Sequence, residues 1–355
     1  MYSDDKTTLT TIAMLKKYGV RRIVASPGTR NADFVASCQE DPFFKMYSVT
    51  DERGAAYFAT GIAFETGEAV VITCTGATAS RNYLPALTEA YYRRLPIIML
   101  TVGSYYGSEG FLTPQHIDNS VLPNDTNIGQ WRIMGTQAEQ EFALNQALTK
   151  AIRRPVGPVH IHINTLANSF NAKELPAVNK VEYDDGESLP AAELRKELRG
   201  KKIGVFAGSH SRMSDAETKA MEKFAETFDA CVFADHSSCY HGRNKILIGQ
   251  ACDAKHIGNL PEIMIDTGGI CGIYGCRDLF RRAELWRVSE DGEMRQRHGV
   301  LKRFFDCKEI TFFTELSAGA KSKTGYYESV KNEIGEINAD NLPLSGTLVA
   351  SILAR

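Results

Sequence analysis

The chain has 355 residues, 43% of them hydrophobic and 24% charged, a size that exceeds one typical core and suits two soluble globular domains. A formal net charge of −2 gives no basic field for nucleic acid or anionic lipid, and the longest apolar runs, such as Leu95 to Leu100, fall far short of a membrane span. Eight scattered cysteines without paired close spacings, and a polar, acidic start with no signal-peptide pattern, point to reduced thiols in the cytoplasm.

In chain order, Thr8 to Tyr18 carries Leu9, Ile12, Ala13 and Leu15 at helical spacing, and Gly19 ends the helix. Arg22 to Ala25 reads as a short strand running into the turn Ser26-Pro27-Gly28. After the strand Tyr47-Ser48-Val49, a helix covers Ala55 to Phe64 and breaks at Gly67. Ala69 to Cys74 is a buried strand ending in Thr75-Gly76-Ala77. A helix over Asn82 to Tyr92 and a strand over Pro96 to Thr101 follow. Gly157 to Ile163 is another strand. Strands that are apolar throughout, alternating with helices, predict a parallel sheet covered on both faces.

Residues 171–198 lose periodicity and read as a linker. A second α/β unit opens at Lys202 to Gly208, and Ser214 and Asp215 can cap the helix that follows to about Phe228. Cys231 to Ala234 and Glu262 to Ile265 are the next strands. Glu284 to Val288 and Thr311-Phe312-Phe313 continue the alternation, and from Tyr326 the chain turns helical and polar. The fold class is therefore α/β, with two doubly wound, mainly parallel domains.

Three strand–helix junctions of the first half carry candidate chemistry. Asp51-Glu52-Arg53 places a carboxylate at the carboxyl edge of a sheet, where open α/β folds bind ligands. On spacing alone, an acidic first helical turn is the stronger reading. Ser26, Thr29 and Arg30 occupy a turn able to hold a carboxylate or phosphate, and equally fit a Pro-Gly turn with a surface arginine. The small residues from Thr73 to Ala79, with Asn82 beyond, let a flat ring approach the backbone, or serve tight strand–helix packing. His160 and His162 alternate with Ile161 and Ile163 and read as structural. Asp235 to His241, with Cys252 and His256, does not match a zinc template. Gly204 to Gly208 lacks a dinucleotide fingerprint.

The order SPGTR, DERGAAYFATGIA, CTGATASRNYLPALTEAYYRRLPIIMLT and PVGPVHIHIN resembles the pyrimidine-binding domain of thiamine-diphosphate-dependent enzymes. Within that superfamily it is most similar to the menaquinone-pathway synthases that make 2-succinyl-5-enolpyruvyl-6-hydroxy-3-cyclohexene-1-carboxylate from 2-oxoglutarate and isochorismate. KKIGVFAGSH, EIMIDTGG and AELWRVSEDGE resemble the same family's middle domain, so the resemblance spans nearly the whole chain. It implies a pyrimidine-binding domain over 1–170, a linker over 171–198, a middle domain over 199–330 and, over 331–355, a lead-in to a diphosphate-binding domain that this sequence lacks. It also implies that Glu52 is the activating glutamate, bonded to ring nitrogen N1′ of thiamine diphosphate, whose thiazolium then adds to a 2-oxo acid and holds its electrons as carbon dioxide leaves. Thr75, Gly76, Ala77 and Asn82 would lie near the pyrimidine, and Ser26, Thr29, Arg30 and Gln115 would face substrate carboxylates.

The family's Gly-Asp-Gly…Asn-Asn motif, which holds Mg2+ and the diphosphate, does not occur here. The expectation is a chain inactive by itself, working with a diphosphate domain that is either removed or carried by a separate subunit, in a homodimer or homotetramer. Thr29 stands where the synthases have serine, and Val102 to Gly107 replaces their Asp-Arg-Pro-Pro segment. These departures leave open a thiamine-diphosphate lyase of surface-polysaccharide synthesis, or a non-catalytic relative.

Overall fold

Strands β1 (Arg22–Ala25), β2 (Lys45–Ser48), β3 (Val70–Thr75), β4 (Ile97–Gly103), β5 (Gln130–Arg132) and β6 (Val159–Asn164) form one parallel sheet ordered β2-β1-β3-β4-β6-β5. They belong to the first of two compact units, Met1–Val181, in a computed structural model that describes residues 1–76, 78–103, 117–118, 121–165, 169–254, 256–319 and 321–335. Successive side chains of a strand point to opposite faces, so strands this apolar need cover on both. Val71, Ile98, Leu100 and Ile161 pack on one side against α1 (Lys6–Lys17), α2 (Ala32–Gln39) and α5 (Gln137–Ile152). Val70, Ile72 and Met99 pack on the other against the alanine-rich faces of α3 (Glu52–Thr66) and α4 (Leu84–Arg93).

The helix ends follow local chemistry. Asp5 caps α1 by accepting from the Thr8 amide at 2.8 Å, and Thr136 and Glu139 form a reciprocal capping box on α5. Gly67 closes α3 at φ 67°, a left-handed conformation that glycine adopts without strain.

The strand order places a topological switch between β1 and β3. The chain leaves β1 toward α2 on one face, and leaves β3 toward α4 on the other. Loops diverging at the carboxyl ends of neighbouring strands open a crevice there.

The second unit, from Glu182 on, is again a parallel sheet: β10-β9-β8-β11-β12-β13-β7. Its strands are β7 (Glu182–Asp184), β8 (Ile203–Ala207), β9 (Cys231–Ala234), β10 (Lys245–Leu247), β11 (Ile263–Thr267), β12 (Glu284–Val288) and β13 (Val300–Phe305). Helices α6 (Ala191–Leu198), α7 (Asp215–Phe228) and α8 (Glu309–Leu316) bury Leu194, Phe224, Phe228, Phe312 and Phe313 against one face. Ser214 caps α7 in a capping box with Glu217. Helix α9 (Tyr326–Ile334) begins where Asp229 accepts from the Thr324 and Tyr326 amides at 3.0 and 3.1 Å. No helix among the described residues is long and apolar enough to cross a membrane.

Two expectations are corrected. The stretch 171–198 contains β7 and α6, so it is not a plain linker. β7 is a polar edge strand that exists because Arg303 to Phe305 of β13 offers it a ladder, and the eight-residue α6 buries two leucines, Leu194 and Leu198. Thr311 to Phe313 lies in helix α8 and not in a strand; three residues are too few to separate the two periods.

Candidate active site

The crevice at the switch point is built from the loops that follow β1, β2 and β3. After β1, Ser26 is buried and its hydroxyl donates to the Val49 carbonyl at 2.8 Å, tying the first loop to the second. Asn31, fully buried at the start of α2, accepts from the Gly28 amide at 2.8 Å and donates to the Ser26 carbonyl at 3.1 Å. That side chain holds the whole turn. Gly28 has no room for a side chain, because a Cβ there would stand 2.5 Å from the Thr75 hydroxyl. Thr29 is exposed and Arg30 half-exposed, and the Arg30 guanidinium makes no ion pair among the described residues. The Arg30 carbonyl accepts from the Thr165 hydroxyl at 3.2 Å, which anchors its backbone to the end of β6.

After β2, the two adjacent carboxylates divide their tasks. Asp51 is the cap of α3 and accepts from the Gly54 amide at 2.6 Å. Glu52, the first helical residue, is thereby released from capping. Its carboxylate forms no ion pair among the described residues and only a long 3.4 Å hydrogen bond from the Asn82 amide. Asn82 comes from the loop after β3, exposed on a 3-10 turn over Thr78–Tyr83 that precedes α4. The helix expected from Asn82 thus begins two residues later.

Thr75 ends β3 beside Gly28, and the buried Gly76 amide donates to the Val102 carbonyl at 2.9 Å. Ala77 and Gln115 lie outside the described residues. Behind this loop sits Tyr83, fully buried, with a hydroxyl that meets no well-formed hydrogen-bond partner among the described residues and lies close to Cys74 and Ser26. Burial drives its phenol far above the ordinary tyrosine range, with the Cys74 thiol and the Glu52 carboxylate adding to the effect. Burial likewise pushes the Cys74 thiol up to about 12, so it is no nucleophile at neutral pH.

At the end of β4 and β6, Thr101 Oγ1 bridges His160 Nε2 at 2.8 Å and His162 Nδ1 at 2.7 Å. Burial, reinforced by the neighbouring His162, lowers His160 to about 3 and keeps it neutral. The pair is structural. Asn164, also buried, has neither amide atom satisfied, and it crowds Gly103 so closely that a Cβ there would lie 2.5 Å from its Oδ1.

The contacts therefore join the β1 loop to Thr75, and Glu52 to Asn82. Asn31, Tyr83 and Asn164 were not singled out by the sequence; asparagine after a Pro-Gly turn was the one available hint, for Asn31 alone. An available acceptor at a helix start, a glycine-floored loop and a nearby apolar wall suit a flat heterocycle with a ring nitrogen to be held. These residues fit the aminopyrimidine of thiamine diphosphate.

A parallel sheet with such a carboxylate at its switch point is the architecture of a pyrimidine-binding domain. Residues 6–122 match the family pattern described as thiamine pyrophosphate enzyme, N-terminal TPP binding domain. The 2-succinyl-5-enolpyruvyl-6-hydroxy-3-cyclohexene-1-carboxylate synthase of Bacteroides fragilis is 32% identical, covering all of this chain and 68% of its own length. The protein of that name from Phocaeicola vulgatus is 34% identical, over 92% of this chain and 62% of its own. That from Porphyromonas gingivalis is 34% identical, over 81% and 53%. A solved thiamine diphosphate-dependent 4-hydroxybenzoylformate decarboxylase of Rhodococcus jostii is 17% identical, over 90% of this chain and 63% of its own, with a TM-score of 0.42. The chain belongs to the family of these synthases. It spans only about three-fifths of the length of the Phocaeicola vulgatus relative.

Proposed function

We propose that this chain supplies the pyrimidine-binding and middle domains of a thiamine-diphosphate-dependent enzyme that decarboxylates 2-oxoglutarate and joins the remainder to isochorismate. The observation that carries the reading is Glu52: capping of α3 falls to Asp51, which leaves the Glu52 carboxylate at the switch-point crevice with no ion pair among the described residues and only a long hydrogen bond from Asn82. When bound, the cofactor supplies the carbon nucleophile and the electron sink. Glu52 holds the proton shared with its pyrimidine N1′, and Asn82 orients that carboxylate. Thr75 and Gly76 floor the ring, together with Ala77.

Arg30, with a guanidinium that makes no ion pair among the described residues and an anchored backbone, takes a substrate carboxylate, helped by Thr29 and Gln115. Ser26 contributes less than its position suggests, because its proton is committed to Val49 and only its lone pairs remain. Residues outside these 355 hold the diphosphate and Mg2+, as further polypeptide or as a separate subunit, since the sequence here has no Gly-Asp-Gly…Asn-Asn pattern. The working unit is a cytoplasmic homodimer or homotetramer with each cofactor between subunits.

The test is an assay of the complete protein from its source cells. Carbon dioxide should be released from 2-oxoglutarate only with thiamine diphosphate and Mg2+, and isochorismate should be consumed in step. Release without isochorismate consumption would replace the synthase by another decarboxylase of the superfamily. No release at all would favour the non-catalytic relative.

A further inference from the structure

Three consecutive residues of the 3-10 turn over Thr78–Tyr83 reach three different places. Such a turn advances about a third of a circle per residue, so neighbouring side chains diverge. Tyr83 enters the core fully buried, which fixes the turn on the sheet. Asn82 donates to the Glu52 carboxylate at 3.4 Å. Arg81 takes neither direction. Its Nη1 donates to the Val121 carbonyl and its Nη2 to the Asp118 carbonyl, each at 2.8 Å.

A guanidinium is a flat fork that holds two acceptors in fixed geometry, and its charge makes each bond stronger than a neutral pair would be. Both acceptors here are main-chain oxygens, so Arg81 grips the backbone at Asp118 and Val121 and not side chains that could rotate away. Neither residue belongs to a helix or strand, so side-chain contacts have more to do in placing them. From another side, Arg132 of β5 reaches the Asp118 carboxylate with Nη2 at 3.4 Å, a weak tie at that length. Arg81 is the firmer of these two anchors.

Gln115, with its proposed role toward a substrate carboxylate, precedes Asp118 by three residues in the chain. One short turn therefore carries, on adjacent residues, the contact to Glu52 and the clamp on the stretch that follows Gln115. We propose that Arg81 is a positioning residue: through Asp118 and Val121 it seats that stretch against the loop that floors the cofactor ring, so that filling the cofactor site orders the substrate site. The inference rests on the roles proposed for Glu52 and Gln115. A ligand that stills the turn lowers the cost of ordering whatever is clamped to it, and the coupling acts equally in both directions.

The experiment is hydrogen exchange on the complete protein, with and without thiamine diphosphate and Mg2+, in the parent, Arg81→Ala and Arg81→Lys. In the parent, the cofactor should slow exchange about fivefold or more in the peptide covering 117–122, together with the peptides covering Glu52 and 78–83. In Arg81→Ala the slowing at 117–122 should vanish while that at Glu52 remains. KM for 2-oxoglutarate should rise about fivefold or more, with kcat within about twofold of the parent. Arg81→Lys keeps the charge but cannot fork, and should lie closer to Arg81→Ala than to the parent. Protection of 117–122 unchanged in both variants would overturn the proposal and leave the assigned reaction untouched. So would cofactor protection confined to Glu52 in the parent, or a loss of Tm and of protection throughout the first unit in both variants, which would make Arg81 structural. Protection lost as expected, in an enzyme that releases no carbon dioxide from 2-oxoglutarate, would uphold the clamp and overturn the substrate reading instead.

Discussion

Asp51 and Glu52 are adjacent carboxylates at the start of one helix, and only the first is used by the fold. Asp51 accepts from the Gly54 amide at 2.6 Å, whereas among the described residues Glu52 receives only a long bond from Asn82. Stability and chemistry are thereby assigned to different residues, and substitution should separate them. Asp51→Ala should cost about 1 kcal/mol, the usual loss for an N-cap, with turnover changed only modestly. Glu52→Gln should leave the urea midpoint unchanged and lower turnover by roughly 10²–10⁴-fold, the span of a lost acid–base group. Equal turnover in Glu52→Gln and the parent enzyme would remove Glu52 from the mechanism.

The contact of Gly28 with Thr75 makes a coupled pair. A methyl group at 28 would be forced against the Thr75 hydroxyl, in a turn that Asn31 holds rigid. Gly28→Ala should therefore destabilise by about 1–3 kcal/mol. Adding Thr75→Ala removes the obstructing atom and should recover most of that loss, which a double-mutant cycle on thermal unfolding would read. Independent, additive effects would mean that the turn and the end of β3 are not in contact.

Much of this was legible in the sequence, for a physical reason. Val70 to Ile72 and Ile203 to Ala207 are unbroken apolar runs, which read as central strands buried on both faces. β7 and β10, three residues each, are edge strands defined by the neighbour they pair with, which for β7 lies far along the chain in β13. Their own residues carry almost no signal. The Phe312-Phe313 pair suited strand or helix until Phe224 and Phe305 were seen to pack against it. At the site, local order put Glu52 at a strand–helix junction, but spacing alone favoured an acidic first helical turn, and only the resemblance gave the carboxylate a role. Asn31, Tyr83 and Asn164 were not legible, because a clamp, a hydroxyl without a well-formed partner and an unsatisfied amide are properties of three-dimensional packing.

Arg30 offers a sharper test of substrate binding than Ser26 does. Its guanidinium is unpaired among the described residues and its backbone is anchored by Thr165, so its side chain can be removed with the turn's own contacts intact. Arg30→Ala should raise KM for the 2-oxo acid at least tenfold, about 1.4 kcal/mol of charge-assisted hydrogen bonding, with Tm within a degree or two of the parent. A fall in Tm with KM unchanged would make Arg30 structural.

Acid should weaken the first unit through His160. Burial lowers its folded pKa to about 3, whereas the unfolded chain protonates near the ordinary value of about 6.5. Between those limits the unfolded state binds a proton that the folded state refuses, so stability is full above the unfolded value and falls as pH drops toward 3. His210 works in the opposite sense. Burial pulls it down, but the hydrogen bond to Glu309, the charge of that carboxylate and the Gly208 carbonyl together raise it, so its contribution is present at low pH and lost on going alkaline. Urea midpoints measured from pH 7.5 to 5 should therefore decline less steeply in His160→Gln, which cannot titrate yet can still meet the Thr101 hydroxyl. Identical slopes for the variant and the parent would show that His160 is not held neutral, and would leave the Thr101 bridge without its electrostatic role.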